Sequence, residues 1–212
     1  LSDTMPVLPM FPLGTALLPG AYLPLRVFEP RYRELVRHCV EVGPPEFGVV
    51  MIARGFEVGG GDQRTDVGTV ARLTRLAPFQ DGSFALEALG TRRIRVVEWL
   101  TDDPYPRAVV EDWDDDAPAP GWEPSRDEVA AHLRRVFALA VESGRANITE
   151  LPELVDDPVA ASYQLATLSP FGAADLHRVL CAQSVERRWT ILSELLGDAE
   201  AVLRFQLGGS GS

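Results

Sequence analysis

The stretch MFPLGTALLPGAYLPLRVFEPRYR, residues 10–33, decides how the rest of the chain is read. Pro12, Pro19, Pro24 and Pro30 punctuate it, and its first charge comes only at Arg26. The uncharged segment from Thr4 to Leu25 has the look of a membrane span. Pro6, Pro9, Pro12, Pro19 and Pro24 nevertheless leave no uninterrupted helix of the roughly 20 residues needed to cross a bilayer. The segment also lacks the basic start of a signal peptide, so a cytoplasmic location is the expectation. Between the prolines, Val7 to Phe11 and Tyr22 to Phe28 read as short strands, the second leaving the Pro19-Gly20 turn. Glu29-Pro30 then opens a helix, with proline at its first position. Tyr32, Leu35, Val36, Cys39 and Val40 recur at helical spacing until Gly43-Pro44-Pro45.

Beyond this stretch the texture stays strand-like to about residue 112. Phe47 to Ile52 is a continuous apolar run, and Gly59-Gly60-Gly61 with Asp62 marks a turn. Thr69 to Leu76 and Phe84 to Leu89 alternate as strands around Asp81-Gly82. Gly90 interrupts the second of these, predicting a bulge or sharp bend. Ile94, Val96, Val97 and Trp99 carry the strand on, and Ala108 to Val110 forms a last one. Short strands, glycine corners and one inserted helix predict a bent sheet or partly closed barrel.

After an acidic, proline-rich linker at 113–123 the reading turns helical over 124–206. Ser125 and Glu128 form a capping box, followed by the stripe Val129, Leu133, Val136, Phe137 and Ala140, with a stop at Gly144. Asp157-Pro158 opens a second helix ending before Pro170, and Ala173 to Cys181 forms a third. A fourth starts at Ser184 and buries Val185, Trp189, Leu192, Leu195 and Leu196, with Gly197 as a potential break. Residues 208–212, GGSGS, read as a linker-like tail. The expected organisation is thus α+β: a β lobe over 5–112 followed by a helical bundle.

The 212 residues carry a formal net charge of −11, and 46% are hydrophobic, enough for a substantial core. Such a surface repels phosphate backbones and anionic membranes. All 20 basic residues are arginine. The lack of lysine excludes a Ser-Lys dyad, a phosphate-loop lysine and a Schiff base. The two cysteines, Cys39 and Cys181, lie far apart in apolar stretches and read as free thiols.

The sequence offers little for chemistry. G-x-x-x-x-G-K-[ST], H-E-x-x-H and C-x-x-C are absent, and His38, His132 and His177 fall on helices without a partner at ligand spacing. No metal and no cofactor are expected. Gly59 to Gly61 lacks the following helix that a phosphate cradle needs. Glu111, Asp112, Asp114, Asp115 and Asp116 do not match a calcium loop and read as a solvated linker. Arg92, Arg93 and Arg95 form a basic cluster on one strand. Pairing with Glu29, Glu87 or Glu98 is expected there rather than contact with nucleic acid. Phe11, Tyr22, Phe28, Phe79 and Phe84 are expected mostly in the core; any left exposed would make an apolar surface for other chains.

Met10-Phe-Pro-Leu-Gly14, Leu18-Pro-Gly20, Leu23-Pro-Leu25 and Val27-Phe-Glu-Pro-Arg-Tyr-Arg33 together resemble the opening signature of the Lon protease N-terminal domain. Phe47-Gly-Val-Val50, Val58-Gly-Gly60, Val67-Gly-Thr69, Asp81-Gly82, Gly90-Thr-Arg-Arg-Ile94 and Pro104-Tyr-Pro106 follow in order. Asp157-Pro158 and Ser162-Tyr-Gln-Leu-Ala166 resemble its helical half. The resemblance runs from about Met5 to Leu196. It implies a PUA-like, bent β-barrel lobe with an inserted helix and then a C-terminal helical bundle. The signature positions Pro12, Gly14, Glu29, Pro30, Arg31, Tyr32 and Gly90 are structural in this reading. If Glu29 is buried, it needs an arginine partner.

In Lon proteases this region is linked to recognition of damaged or unfolded substrates, and ATPase and protease domains follow it. The resemblance therefore implies a stand-alone, non-catalytic module that binds exposed apolar segments of unfolded or damaged proteins, with a protease or chaperone as a further partner. The expected contact residues are Pro19, Tyr22, Phe28 and Phe79. An RNA-associated PUA-like protein and an adaptor for a specific folded partner are the alternatives. The charge of −11 disfavours the first of these.

Overall fold

A computed structural model describes residues 5–54, 63–117, 119–120, 126–143 and 151–209. The Gly59 to Gly61 turn, the Ser125 capping box and the Gly144 stop lie outside these residues. The chain divides into two compact units, Leu1–Asp114 and Asp115–Ser212.

The first unit is a bent, mixed sheet with one helix. Its strands are β1 (Val7–Leu13), β2 (Tyr22–Val27), β3 (Glu46–Arg54), β4 (Gln63–Pro78), β5 (Phe84–Trp99) and β6 (Arg107–Asp112). Helix α1 (Pro30–Val42) lies between β2 and β3. The sheet order is β2-β5-β4-β3-β1-β6. The parallel β1–β3 pair is the exception among antiparallel neighbours. The second half of β5 also pairs with β6, so the ladder returns on itself. Two long strands that each serve two neighbourhoods must bend, and the register shifts show where. Thr69 faces Arg93 while Ala71 faces Gly90, so β5 carries an extra residue there. The bend predicted at Gly90 sits at this bulge. The Gly90 N–H donates to the Ala21 carbonyl at 2.9 Å, and its own carbonyl accepts from Gly20 at 2.8 Å. A side chain at 90 would strike the Leu18 carbonyl.

The bending leaves two cores. One gathers Phe11, Leu23, Val27, Phe47 and Leu86 against Tyr32, Leu35, Val36 and Cys39 of α1. Phe11 stacks on Tyr32 with centroids 4.0 Å apart, which anchors the helix to β1. The second core holds Met10, Val50, Val70, Ile94, Val96, Ala108 and Val110. Adjacent residues of β1, such as Met10 and Phe11, thus enter different cores, as strand alternation requires. Glu29 caps α1 with extended backbone. Its carboxylate is four-fifths buried and lies 3.2 Å from Arg31 Nε, the arginine partner its burial requires.

The second unit contains α2 (Arg126–Glu142), α3 (Pro158–Leu168), α4 (Ala173–Leu180) and α5 (Val185–Gly209). Asp157 caps α3 by accepting from the Ala160 N–H at 2.7 Å. Leu133, Val136 and Ala140 of α2 are buried, as are Val185, Trp189, Leu192, Leu195 and Leu196 of α5. The break considered at Gly197 does not occur. That residue is exposed with nothing near its Cα, so it costs only the ~1 kcal/mol of a solvent-facing helix glycine. No helix among the described residues is long and apolar enough to cross a membrane.

Candidate functional site

Strand β2 is the edge of the first unit's sheet, hydrogen-bonded to β5 alone. Its side chains alternate: Leu23 and Val27 are buried, while Tyr22, Pro24, Arg26 and the following Phe28 face out. The register fixes the main chain as well. Tyr22 lies opposite Leu89, and the bond from Gly90 to Ala21 places the next pair up in hydrogen-bonded contact. By antiparallel alternation Leu23, Leu25 and Val27 then point their amides at β5, leaving those of Tyr22 and Arg26 on the free edge. Pro24 falls between these two and has no N–H to offer. Proline there blunts the edge against addition of another strand.

Three of the four expected contact residues are exposed, Pro19 being half-buried. Tyr22 is 71% exposed, Phe28 58% and Phe79 43%, whereas Phe11 is buried and Phe84 half-buried. The expectation that these aromatics lie mostly in the core therefore fails for three of five. Phe79 follows β4 in the turn to β5, which closes through Phe79 N–H to Ser83 O at 2.9 Å and Gly82 N–H to Phe79 O at 3.0 Å. Gly82 has φ +77°, a left-handed conformation that favours glycine. Asp81 accepts from both the Ser83 hydroxyl (2.6 Å) and its N–H (2.9 Å). These two bonds, and then the charges of Arg26 and Arg33, outweigh the cost of desolvation and hold its carboxyl below the usual range. The Arg26 guanidinium lies 4.5 Å from the Phe79 centroid and 3.6 Å from Asp81 Oδ2. Arg26 thus joins the turn to β2, with Phe79 under its guanidinium and Phe28 two residues further along the chain. Tyr22, with half-buried Pro19 before it, lies six residues away, about 20 Å at strand rise. The sequence reading did not assign Arg26 a role. Its place between two outward-facing β2 residues was the available signal.

The arginine cluster has other partners than those expected. Arg92 bonds Glu46 Oε2 and Asp112 Oδ1, each at 2.9 Å, and Arg72 bonds Glu46 Oε1 at 3.0 Å. Burial pushes the Glu46 carboxyl up, but the hydrogen bonds and charges of Arg92 and Arg72 outweigh it and set it below the usual range. Buried Arg93 donates to the carbonyls of Trp113 (2.9 Å) and Asp114 (3.2 Å). The Arg93 and Arg95 guanidinium groups lie 4.1 and 4.2 Å from the Trp113 centroid. Glu29 pairs with Arg31 and Glu87 with Arg75. Of the expected partners, Glu87 and Glu98 share β5 with these arginines, whereas the observed pairing runs between strands: Glu46 faces Arg72 across β3–β4.

In the second unit, Asp115 is not a solvated linker residue. It receives two bonds, 2.9 and 2.5 Å, from Arg188, whose side chain is fully buried. Arg188 also donates to Ser162 Oγ at 3.3 Å and stacks 4.1 Å from the Tyr163 centroid. The signal lay in the α5 stripe, because position 188 falls on the face of Val185, Trp189 and Leu192. An arginine there must bring a counter-ion inside.

Cys39 is buried, donates to the Glu46 carbonyl at 3.3 Å and is pushed up by burial to about 11, so it stays a thiol at neutral pH. Among the described residues no group of three or more His, Cys, Asp or Glu could hold a metal ion. What the first unit does present is a set of exposed aromatic side chains on and beside its edge strand, with the Arg26 guanidinium over Phe79.

Among the described residues, a bent mixed sheet with one inserted helix, followed by four helices, defines an α+β protein. The family model for the ATP-dependent protease La (LON) substrate-binding domain matches residues 7–198, and the chain belongs to that family. It is 27% identical over 208 residues to a Lon protease of Anaeromyxobacter dehalogenans, and 27% over 208 residues to Lon protease 2 of Myxococcus xanthus. These alignments take in 95% of this chain but 24% and 25% of the relatives, so the chain spans about a quarter of their length. The crystal structure of a Lon N-terminal domain protein from Xanthomonas campestris superposes with a TM-score of 0.67 at 30% identity. The match covers 91% of this chain and 98% of that one. The N-terminal domain of the Mycobacterium avium complex Lon protease shares the fold, with a TM-score of 0.61 at 16% identity over 91% of this chain and 99% of the other.

Proposed function

We propose that this chain is a non-catalytic protein-recognition module that binds exposed apolar segments of unfolded or damaged proteins. Pro19, Tyr22, Phe28 and Phe79 are its contact residues. The observation that carries the reading is the exposure of three large aromatic side chains, Tyr22 and Phe28 on and just after the edge strand and Phe79 in the β4–β5 turn under Arg26, in a family described as substrate-binding. Rigid aromatics lose little side-chain entropy on binding and commonly dominate interfaces. The about 20 Å between the two ends of the strip suits an extended segment of some six residues. Side chains, not main-chain pairing, would hold it, because Pro24 interrupts the free ladder. Arg72, Arg92 and Arg93 are engaged within the protein, which speaks against RNA as the ligand. A cytoplasmic location belongs to the same proposal.

The test is fluorescence anisotropy with a labelled, permanently unfolded model protein against its folded form. Selective binding of the unfolded form is expected. Combining Tyr22→Ala with Phe28→Ala should weaken it about tenfold or more, since exposed anchors lost on binding carry ~1 kcal/mol or more each. Equal binding of both forms, or an unfolded form that ignores the double variant, would sink the assignment of this strip.

A further inference from the structure

The helical unit carries a second apolar surface, and its charge says what fits it. A groove of about 340 Å³ opens between α2, α5 and the connection from α3 to α4. Phe137, Phe171, Leu195 and Val202 line it. The volume is at the small end of the roughly 300–1,000 Å³ that ligand sites occupy, room for one large side chain and not for a cofactor. The apolar lining continues along α5 beyond the groove. Val202 is 53% exposed, and Phe205, three residues on and so on the same side of the helix, is 83% exposed.

Asp175 and Asp198 also line the groove. Neither has an ion pair or side-chain hydrogen bond among the described residues. The cations nearest along α4 and α5 are taken: Arg178 and Arg187 by Glu194, and Arg204 by Glu200. Two unanswered carboxylates beside an apolar slot favour a ligand that brings an apolar side chain and cations together. A second copy of this acidic chain would bring its own unanswered carboxylates instead, at net charge −11 without a lysine.

We propose that the groove between α2 and α5 is a docking site for a basic amphipathic segment of another protein. An apolar residue of that segment fills the slot while its Lys or Arg side chains meet Asp175 and Asp198. The site is distinct from the β2 strip and calls for a different ligand: a cationic, helix-forming segment laid against a groove, not an extended apolar one.

The probe is a labelled amphipathic peptide of leucine and lysine at helical spacing, with a leucine–glutamate peptide of the same pattern as its counterpart. The lysine peptide should bind the whole chain, weaken with salt, and lose about fivefold or more in affinity in the Asp175→Asn/Asp198→Asn variant. Ala199→Trp, which fills the groove from α5, should abolish binding by an independent route. Glu98→Gln/Glu111→Gln removes the same charge from the first unit and should leave affinity unchanged, as should Tyr22→Ala/Phe28→Ala. Four results would each overturn the proposal: equal binding of both peptides, equal weakening by the Glu98/Glu111 control, loss of binding with the Tyr22/Phe28 variant, or a dimer that Val202→Glu dissolves. The Tyr22/Phe28 arm separates failure here from failure of the β2 reading.

Discussion

Arg188 and Asp115 show how much one side chain can organise. A guanidinium fully out of water is tolerable because a carboxylate, a hydroxyl and an aromatic face surround it. Removing one partner strands the other charge. Asp115→Ala should therefore cost the second unit about 3 kcal/mol or more, measured by urea denaturation, and adding Arg188→Met should restore most of that loss. A single-site loss that the second substitution does not recover would mean that Asp115 acts in some other way. Glu46 poses the complementary case at the sheet. Its carboxyl titrates lower when folded than when unfolded, so its contribution is fully present above the unfolded glutamate value of about 4.3. It is lost as pH falls through the lower folded value. Glu46→Gln should flatten the acid limb of the stability–pH curve and change little in shape at neutral pH. Sequence alone did not reveal either pair, since neither partner sits at helical or strand spacing from the other: 73 residues separate Asp115 from Arg188 and 26 separate Glu46 from Arg72.

At the scale of elements, much was legible. Proline at the first turn of α1 and α3, the Asp157 cap, the Gly82 turn and the bend at Gly90 are all local signals, and local signals survive folding. What was not legible was which face of β2 stays wet. Tyr22, Phe28 and Phe79 look like core residues by composition; the outward face and end of β2 expose the first two, and the β4–β5 turn exposes the third. Two predictions belong here. Gly90→Ala sets a methyl group against the Leu18 carbonyl and should cost on the order of 2 kcal/mol, read as a shift in denaturation midpoint without a change in slope. Pro24→Val restores an N–H to the free edge and removes its main interruption. Concentration-dependent association by analytical ultracentrifugation is expected, with the parent chain as the reference. A Pro24→Val chain as dispersed as the parent would show that something else protects the strand.

For the molecule as a whole, the family was readable because its signature is made of turn-forming prolines and glycines that recur in order along the chain. The chain divides into two compact units, and their stability should be separable. Asp115→Ala is expected to speed amide hydrogen exchange in α3 and α5 while leaving β3, β4 and β5 at parental protection. Uniform acceleration across both units would instead make them one cooperative body.

If the β2 strip holds a client as proposed, the interrupted ladder at Pro24 also governs how that client is released. An edge that offers aromatic rings but withholds a complete row of amides can hold a segment without recruiting it as another strand. Attachment then depends on side chains that let go one at a time, so the bound chain is borrowed rather than annexed, and it leaves in the same extended state in which it arrived.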